Sequence, residues 1–335
     1  MNKHVLRGLG AAAAAMVLAA PTYAQTFTMK LGAATVNDGQ HEWMKIFKDR
    51  MDQKSGGKIK VENYTAGSLG SIPRQIEGVQ LGTQEANIVP PAFMVGVDGR
   101  YQVLDAPGLF ESREQLVATI SDPEFRKAFL AIGEPKNIKG LSLFYLAPTE
   151  ISLRKEVRKL DDLKGLKIRV FGSPMQTLPF DRLGMAGVPM SLDDALPALQ
   201  AGALDGVFGS IAIFIPFKYN TIAKYLAATN FSYVVSLTFV HKPWFDKLPG
   251  DLQKLMESES QVIDGEINKW GFDLYPKAIK TWTDGGGEHV QFSAADRAEM
   301  MKRLSPIGEE VVKDKPPVKQ MYDLMVKTAN AKKKT

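Results

Sequence analysis

Side chains able to do chemistry are sparse in this 335-residue chain, and the most distinctive is an arginine. In LKGLKIRVFGSPMQ (Leu163–Gln176), Lys167 to Val170 alternate polar and apolar, as a half-buried strand does. That places Arg169 near a strand end, just before a Phe-Gly-Ser-Pro corner and a helix start. A guanidinium offers a fixed fork of donors that matches a carboxylate. Each such charge-assisted bond in a water-poor cleft is worth about 1.5–3 kcal/mol. A helix beginning at Ser173, with Pro174 in its first turn, would aim oriented N–H groups at the same anion. The plainer alternative is that Arg169 continues the solvated face marked by Lys167.

Other chemistry finds little support. With no cysteine there is no thiol nucleophile and no thiolate metal site. His4, His41, His241 and His289 are far apart, without HxxxH or HxH spacing, so no metal site is expected. Gly67-Ser68-Leu69-Gly70-Ser71 misses the GxSxG spacing, and no GxxxxGK[ST] loop is present. Asp161-Asp162 and Asp193-Asp194 are adjacent pairs, which do not converge on one point of a helix or strand; helix capping accounts for them. Without a nucleophile–base set, neither catalysis nor a cofactor is expected.

The elements that would position Arg169 follow from periodicity. Thr26–Gly32 and Lys58–Tyr64 read as strands around a helix, Gln40–Lys54, whose Trp43, Phe47 and Met51 make an apolar stripe. Trp43 is thereby assigned to the core. Ser71–Leu81 reads as a helix, Glu85–Val89 as a buried strand end, Phe125–Ala131 as a helix and Leu141–Leu146 as a strand. The second half repeats the theme with strands Leu166–Phe171 and Leu204–Phe208 and helices starting at Ser173 and Ser191. Two β-α-β-α-β blocks imply two similar α/β lobes, each with helices packed on a largely parallel sheet. A β-rich run follows at Phe231–Val240. Asp251–Trp282 then reads as one long helix, with a kink expected at Pro276 and an end at Gly285-Gly286-Gly287.

Lys3 and Arg7, the apolar run to Ala20 and the small residue Ala24 predict a signal peptide over residues 1–24, cleaved after Ala24, and hence a soluble exported protein. The run is shorter than the ~20 residues of a membrane span. No cysteine follows it, so no lipid anchor is expected. Net charge is +5 for the whole chain, and removing Lys3 and Arg7 leaves +3, much of it in Lys332-Lys333-Lys334. Nothing suggests a nucleic-acid partner.

A family resemblance sharpens this reading. Leu163–Met175, then Leu183-Gly184, Pro189, Ala198-Leu199-Gln200, Gly202 and Asp205-Gly206, resemble the solute-binding subunit of tripartite ATP-independent periplasmic (TRAP) transporters, the DctP-like family. So do Lys54–Ile59, Ser68-Leu69-Gly70, Ile76–Gly82, His241–Pro249 and Asp251-Leu252-Gln253. The resemblance implies an α/β, two-lobed, type II-like periplasmic binding protein, each lobe a mixed sheet flanked by helices: lobe I from 25–147 with 235–274, lobe II from 148–234 with 275–335, a long helix across both. It implies capture of a small organic carboxylate by Arg169 and delivery to the small and large membrane permease subunits, with the receptor itself a monomer. Departures from the family suggest one anion anchor and apolar walls. Pro148-Thr149 stands where some members carry a second arginine. Gly209 or Ser210 takes the place of a polar residue after Asp-Gly. Pro90-Pro91-Ala92-Phe93 replaces more polar choices. Candidate ligand contacts are thus Arg169, Thr149, Phe171, Phe208, Gly209, Ser210, Phe93 and Tyr233, and the expected ligand is a monocarboxylate with a hydrophobic or aromatic body. A C4-dicarboxylate or sugar acid is the alternative ligand. A sensory module, or an enzyme acting on a small acid, is the alternative function.

Overall fold

The stripe of Trp43, Phe47 and Met51 becomes the buried face of a helix, Gly39–Lys54, whose N-terminus is capped by Asp38 through His41 N–H at 3.0 Å. Trp43 stacks on Phe47 with ring centroids 4.7 Å apart, so its place is in the core. This helix connects two strands of a sheet, and the remaining elements follow the same logic. The computed structural model describes residues 26–333. The proposed signal peptide lies outside them.

Eleven strands are found among the described residues: β1 (Phe27–Ala33), β2 (Ile59–Tyr64), β3 (Ala86–Val89), β4 (Ile138–Pro148), β5 (Glu150–Leu153), β6 (Lys167–Val170), β7 (Ala186–Pro189), β8 (Gly206–Gly209), β9 (Tyr225–Ala227), β10 (Tyr233–His241) and β11 (Glu288–Val290). They form two sheets, ordered β2-β1-β3-β10-β4 and β11-β9-β5-β8-β6-β7, each flanked by helices. Each contains a parallel trio, β2-β1-β3 and β7-β6-β8. Both sheets are mixed, as the family resemblance implies, because β10 runs antiparallel to β3 and β4, and β5 runs antiparallel to β8 and β9. The reason is topological. The chain leaves the first sheet at β4 and enters the second at β5, then returns from β9 into the first at β10.

Both crossings are short, and they are tied to each other. Thr149, the single residue between β4 and β5, accepts from Asn230 N–H at 2.9 Å and from the Thr229 hydroxyl at 3.0 Å, both through its carbonyl. Its own N–H and hydroxyl each donate to the Ser232 carbonyl at 3.0 Å. Asn230 takes a left-handed backbone (φ 48°), which asparagine tolerates better than most residues.

A third connection is the long helix, continuous from Gly250 to Asp284. Its 35 residues span roughly 50 Å at 1.5 Å each. Near its middle, Asp264 accepts from Arg126 Nη2 and Ser142 Oγ at 2.6 Å, and from Leu143 N–H and Trp43 Nε1 at 3.0 Å, which fixes it to the first sheet. Near its far end, Trp282 Nε1 donates to the Lys224 carbonyl at 3.2 Å, beside the second sheet. Pro276 does not end this helix. Proline removes the N–H that would bond the Phe272 carbonyl. Arg113 lies across the Phe272 ring, 4.2 Å from its centroid, and directs Nη1 toward that carbonyl at 3.4 Å.

The C-terminal helix Pro316–Ala331 packs on the turn Gly99–Asp105 and on the helices Arg113–Ile120 and Pro123–Leu130. Gln115 Nε2 donates to the Ala329 carbonyl at 2.8 Å. This helix also packs on the helix Ile307–Val312, which in turn packs on Pro174–Arg182, so it touches elements of both halves. Amphipathic helices show which face is buried but not against which neighbour.

Candidate functional site

Four strands point their carboxyl ends at one cavity. Ala34 and Thr35 follow β1, Val89 and Pro90 close β3, Phe171 follows β6 and Ser210 follows β8. Gln40, Ile72, Ile88, Phe93, Leu146 and Val234 add to the first-lobe wall; Arg169, Leu192 and Ile213 add to the second. The cavity, open in part to solvent, measures about 430 Å³. Open α/β sheets bind ligands at this end because loops diverge there and leave a crevice.

Arg169 is completely buried. It sits in β6 between Val188 of β7 and Val207 of β8. Both neighbouring chains contribute a carbonyl: Nε donates to Met190 at 2.9 Å and Nη1 to Phe208 at 3.2 Å. Nη2 has no hydrogen-bond partner, although Arg169 forms part of the cavity wall. No carboxylate lies within salt-bridge distance of it among the described residues. Phe171 and Phe93 flank the guanidinium, with centroids 4.8 and 5.8 Å from Cζ. Burial pulls its pKa down to about 10, with Tyr219 and Asp193 opposing that shift, so it remains a cation at neutral pH. A buried cation that lacks a protein counter-ion and is oriented by two carbonyls is suited to an anion.

The strand that carries Arg169 depends on a close approach by its neighbour. A Cβ on Gly206 would fall 2.7 Å from the Ser152 carbonyl, so only glycine fits between β5 and β6 at that point. The adjoining Asp205 Oδ2 accepts from Lys167 N–H at 2.9 Å. The Asp-Gly pair is therefore a device for joining β8 to β6.

Of the expected contacts, Arg169, Phe171, Phe93 and Ser210 come together around the cavity. The other four lie off it. Thr149 is at the crossing between sheets. Phe208 gives Arg169 its carbonyl, while its ring packs on Phe171, Phe180 and Phe231 in the second-lobe core. Gly209 faces the Ile213 and Phe214 side chains. Tyr233 faces Tyr145, with centroids 6.0 Å apart, while its neighbour Val234 takes the cavity side, as strand alternation requires. The expected anion at the helix after Ser173 also differs. The side chains there bind the protein's own Asp105, through Ser173 Oγ at 2.9 Å and Gln176 Nε2 at 2.8 Å.

Sequence reasoning missed the polar part of the first-lobe wall. Thr35 Oγ1 donates to Gln40 Oε1 at 3.0 Å, and Gln40 Nε2 donates to Ser236 Oγ at 2.8 Å. A usable signal was present, because Gln40 falls on the apolar side of its helix, four residues before Met44. Behind this chain lies Asp38, whose pKa burial raises to about 6.

Two α/β lobes joined by two strand crossings and a shared helix, with a cation in the cavity between them, define a two-lobed solute receptor. The family description "bacterial extracellular solute-binding protein, family 7" (DctP) matches residues 32–315, and the chain belongs to that family. It is 28% identical to a solute-binding protein of Verminephrobacter eiseniae over 87% of both chains. It is 25% identical to the C4-dicarboxylate-binding periplasmic protein DctP of Rhodobacter capsulatus, covering 93% of this chain and 94% of that one. Among solved structures, a TRAP periplasmic solute-binding protein from Desulfovibrio salexigens with bound orotic acid superimposes with a TM-score of 0.87 at 18% identity, covering 92% of this chain and 100% of that one. This family consists of periplasmic receptors for small organic acids. No helix among the described residues is long and apolar enough to cross a membrane.

Proposed function

We propose that this receptor captures a monocarboxylate with a compact apolar body and delivers it to the small and large membrane subunits of a TRAP transporter. The observation that carries the proposal is the charge inventory of the cavity: among the described residues, Arg169 is the one charged residue that lines it. A second carboxylate would find no second cation. Asp38, behind the first-lobe wall, would repel it when ionised. Ile72, Ile88, Val89, Phe93, Leu146, Phe171, Leu192, Ile213 and Val234 offer an apolar surround. Thr35, Gln40 and Ser210 leave room for one neutral polar group, such as a 2-oxo or hydroxyl oxygen. Orotic acid, held by the Desulfovibrio protein, also carries one carboxyl on a flat body.

The two crossings and the long helix serve as the joints about which the lobes close. A ligand touching both lobes would draw them together, because contacts made only in the closed form shift that equilibrium. In this reading the first lobe comprises residues 25–147 and 235–274 together with the C-terminal helix. The second comprises 148–234 and 275–315. We assign residues 1–24 to a cleaved signal peptide and the mature protein to a periplasmic monomer.

A thermal-shift screen tests the ligand class. Apolar monocarboxylates, including 2-oxo acids and aromatic acids, are expected to raise Tm. A response confined to C4-dicarboxylates or sugar acids would overturn it.

A further inference from the structure

Asp105 is a buried acid that the ligand site does not use. It ends the turn Gly99–Asp105 on the first lobe and does not line the cavity. Both of its hydrogen-bond donors belong to the second lobe. Ser173 Oγ donates to Oδ2 at 2.9 Å and Gln176 Nε2 to Oδ1 at 2.8 Å. These are the N-cap and third residues of the helix Pro174–Arg182, which follows the strand holding Arg169. A serine in that position normally caps its own helix. Here the hydroxyl makes no such bond and reaches across to the other lobe. The Asp105 carboxyl group thus occupies the helix N-terminus, where its desolvation outweighs the pull of these donors on its charge.

We propose that Asp105 is a latch between the lobes: it stabilises the closed form and slows ligand release without touching the ligand. The inference rests on the reading that the lobes part and close. Parting them breaks both hydrogen bonds and returns the carboxylate to water. Closing them requires the acid to be desolvated, and burial holds its pKa up at about 7. The charged side chains of the packed elements are Asp98 and Arg100 on its own turn, Asp181 and Arg182 on the opposing helix, and Lys319, Asp323 and Lys327 on the C-terminal helix. None of them contributes to that shift. Closure therefore takes up a proton between the ordinary carboxylate range and about pH 7. The closed form gains as pH falls through 7, and the gain disappears as pH rises above it.

The absence of cysteine allows specific labelling for the test. Spin labels on Lys127→Cys and Lys164→Cys, one on each lobe, report the ratio of short to long separations. The ratio is read without ligand and again with 4-methyl-2-oxopentanoate as probe. Asp105→Ala, and independently Ser173→Ala combined with Gln176→Ala, are expected to shift the ratio about tenfold toward the long separation. Asp105→Asn is expected to remove the rise in closed protein between pH 8 and pH 6. Unchanged ratios in both variants overturn the latch. The measurement on ligand-free protein keeps that failure separate from a wrong ligand class, which would show only as a missing response to the probe.

Discussion

Arg126 and Arg169 are both buried arginines, and they are buried for opposite reasons. Arg126 gives Nη2 to Asp264 at 2.6 Å and to the Leu141 carbonyl at 3.2 Å, and Nη1 to the Leu143 carbonyl at 3.2 Å. Its charge is balanced inside the first lobe. Arg169 has two carbonyls and no acid, and one nitrogen without a partner. The first arrangement secures the long helix to a sheet. The second maintains an uncompensated cation at a cavity, which costs stability and is useful only if an anion arrives from outside. Burial alone does not mark a binding arginine; burial without a protein counter-ion does.

Replacing the two arginines in the same way should therefore have opposite effects. Arg169→Met is expected to weaken carboxylate binding about 10- to 150-fold, from the loss of a charge-assisted bond of about 1.5–3 kcal/mol at Nη2, while Tm holds or rises. Arg169→Lys should recover little binding, since an ammonium cannot hold the Met190 and Phe208 carbonyls and still present a donor where Nη2 stands. Arg126→Met leaves Asp264 buried without its cation and should cost about 3–5 kcal/mol, lowering Tm by roughly 10 °C, with binding retained by the folded fraction. Calorimetric titration alongside thermal unfolding separates the two outcomes. Equal stability losses from both substitutions would break the comparison.

Asp38 extends the rule to an anion. Its Oδ1 caps a helix, its Oδ2 has no partner, and burial raises its pKa to about 6. A raised pKa means that the folded state holds the proton more tightly than the unfolded chain. The associated stability is present at low pH and is lost as pH rises through 6. Asp38→Asn, which keeps the cap, should raise Tm by a few degrees at pH 8 and leave it nearly unchanged at pH 4. An equal gain at both values would show that the carboxylate is not held neutral by burial.

The sequence made the local parts of this architecture legible and left the long-range ones hidden. Apolar spacing located the helix of Trp43 and the long helix, and polar alternation placed Arg169 on a strand. The short strands β5, β7, β9 and β11 escape a reading of the sequence; β3, β6 and β8 are as short, but apolar or alternating residues beside them lengthen their pattern. The return of β10 to the first sheet is a tertiary pairing that no local pattern encodes. The same limit explains Thr149, which is polar and close to the site in sequence yet belongs to the crossing. It also explains Phe208, whose carbonyl rather than its ring serves Arg169. Asp105 had a signal of its own, a lone acid inside the apolar run Val103-Leu104-Asp105-Ala106-Pro107, but its partners are 68 and 71 residues away.

The central claim is that Arg169 Nη2 receives the carboxylate of a small acid between the two lobes. A crystal structure of the protein with a monocarboxylate that raises Tm tests it most directly. The expected result is a carboxylate oxygen about 2.7–2.9 Å from Nη2, with the apolar body against Phe93 and Phe171. A carboxylate bound elsewhere, with Nη2 still unpartnered, would contradict the account.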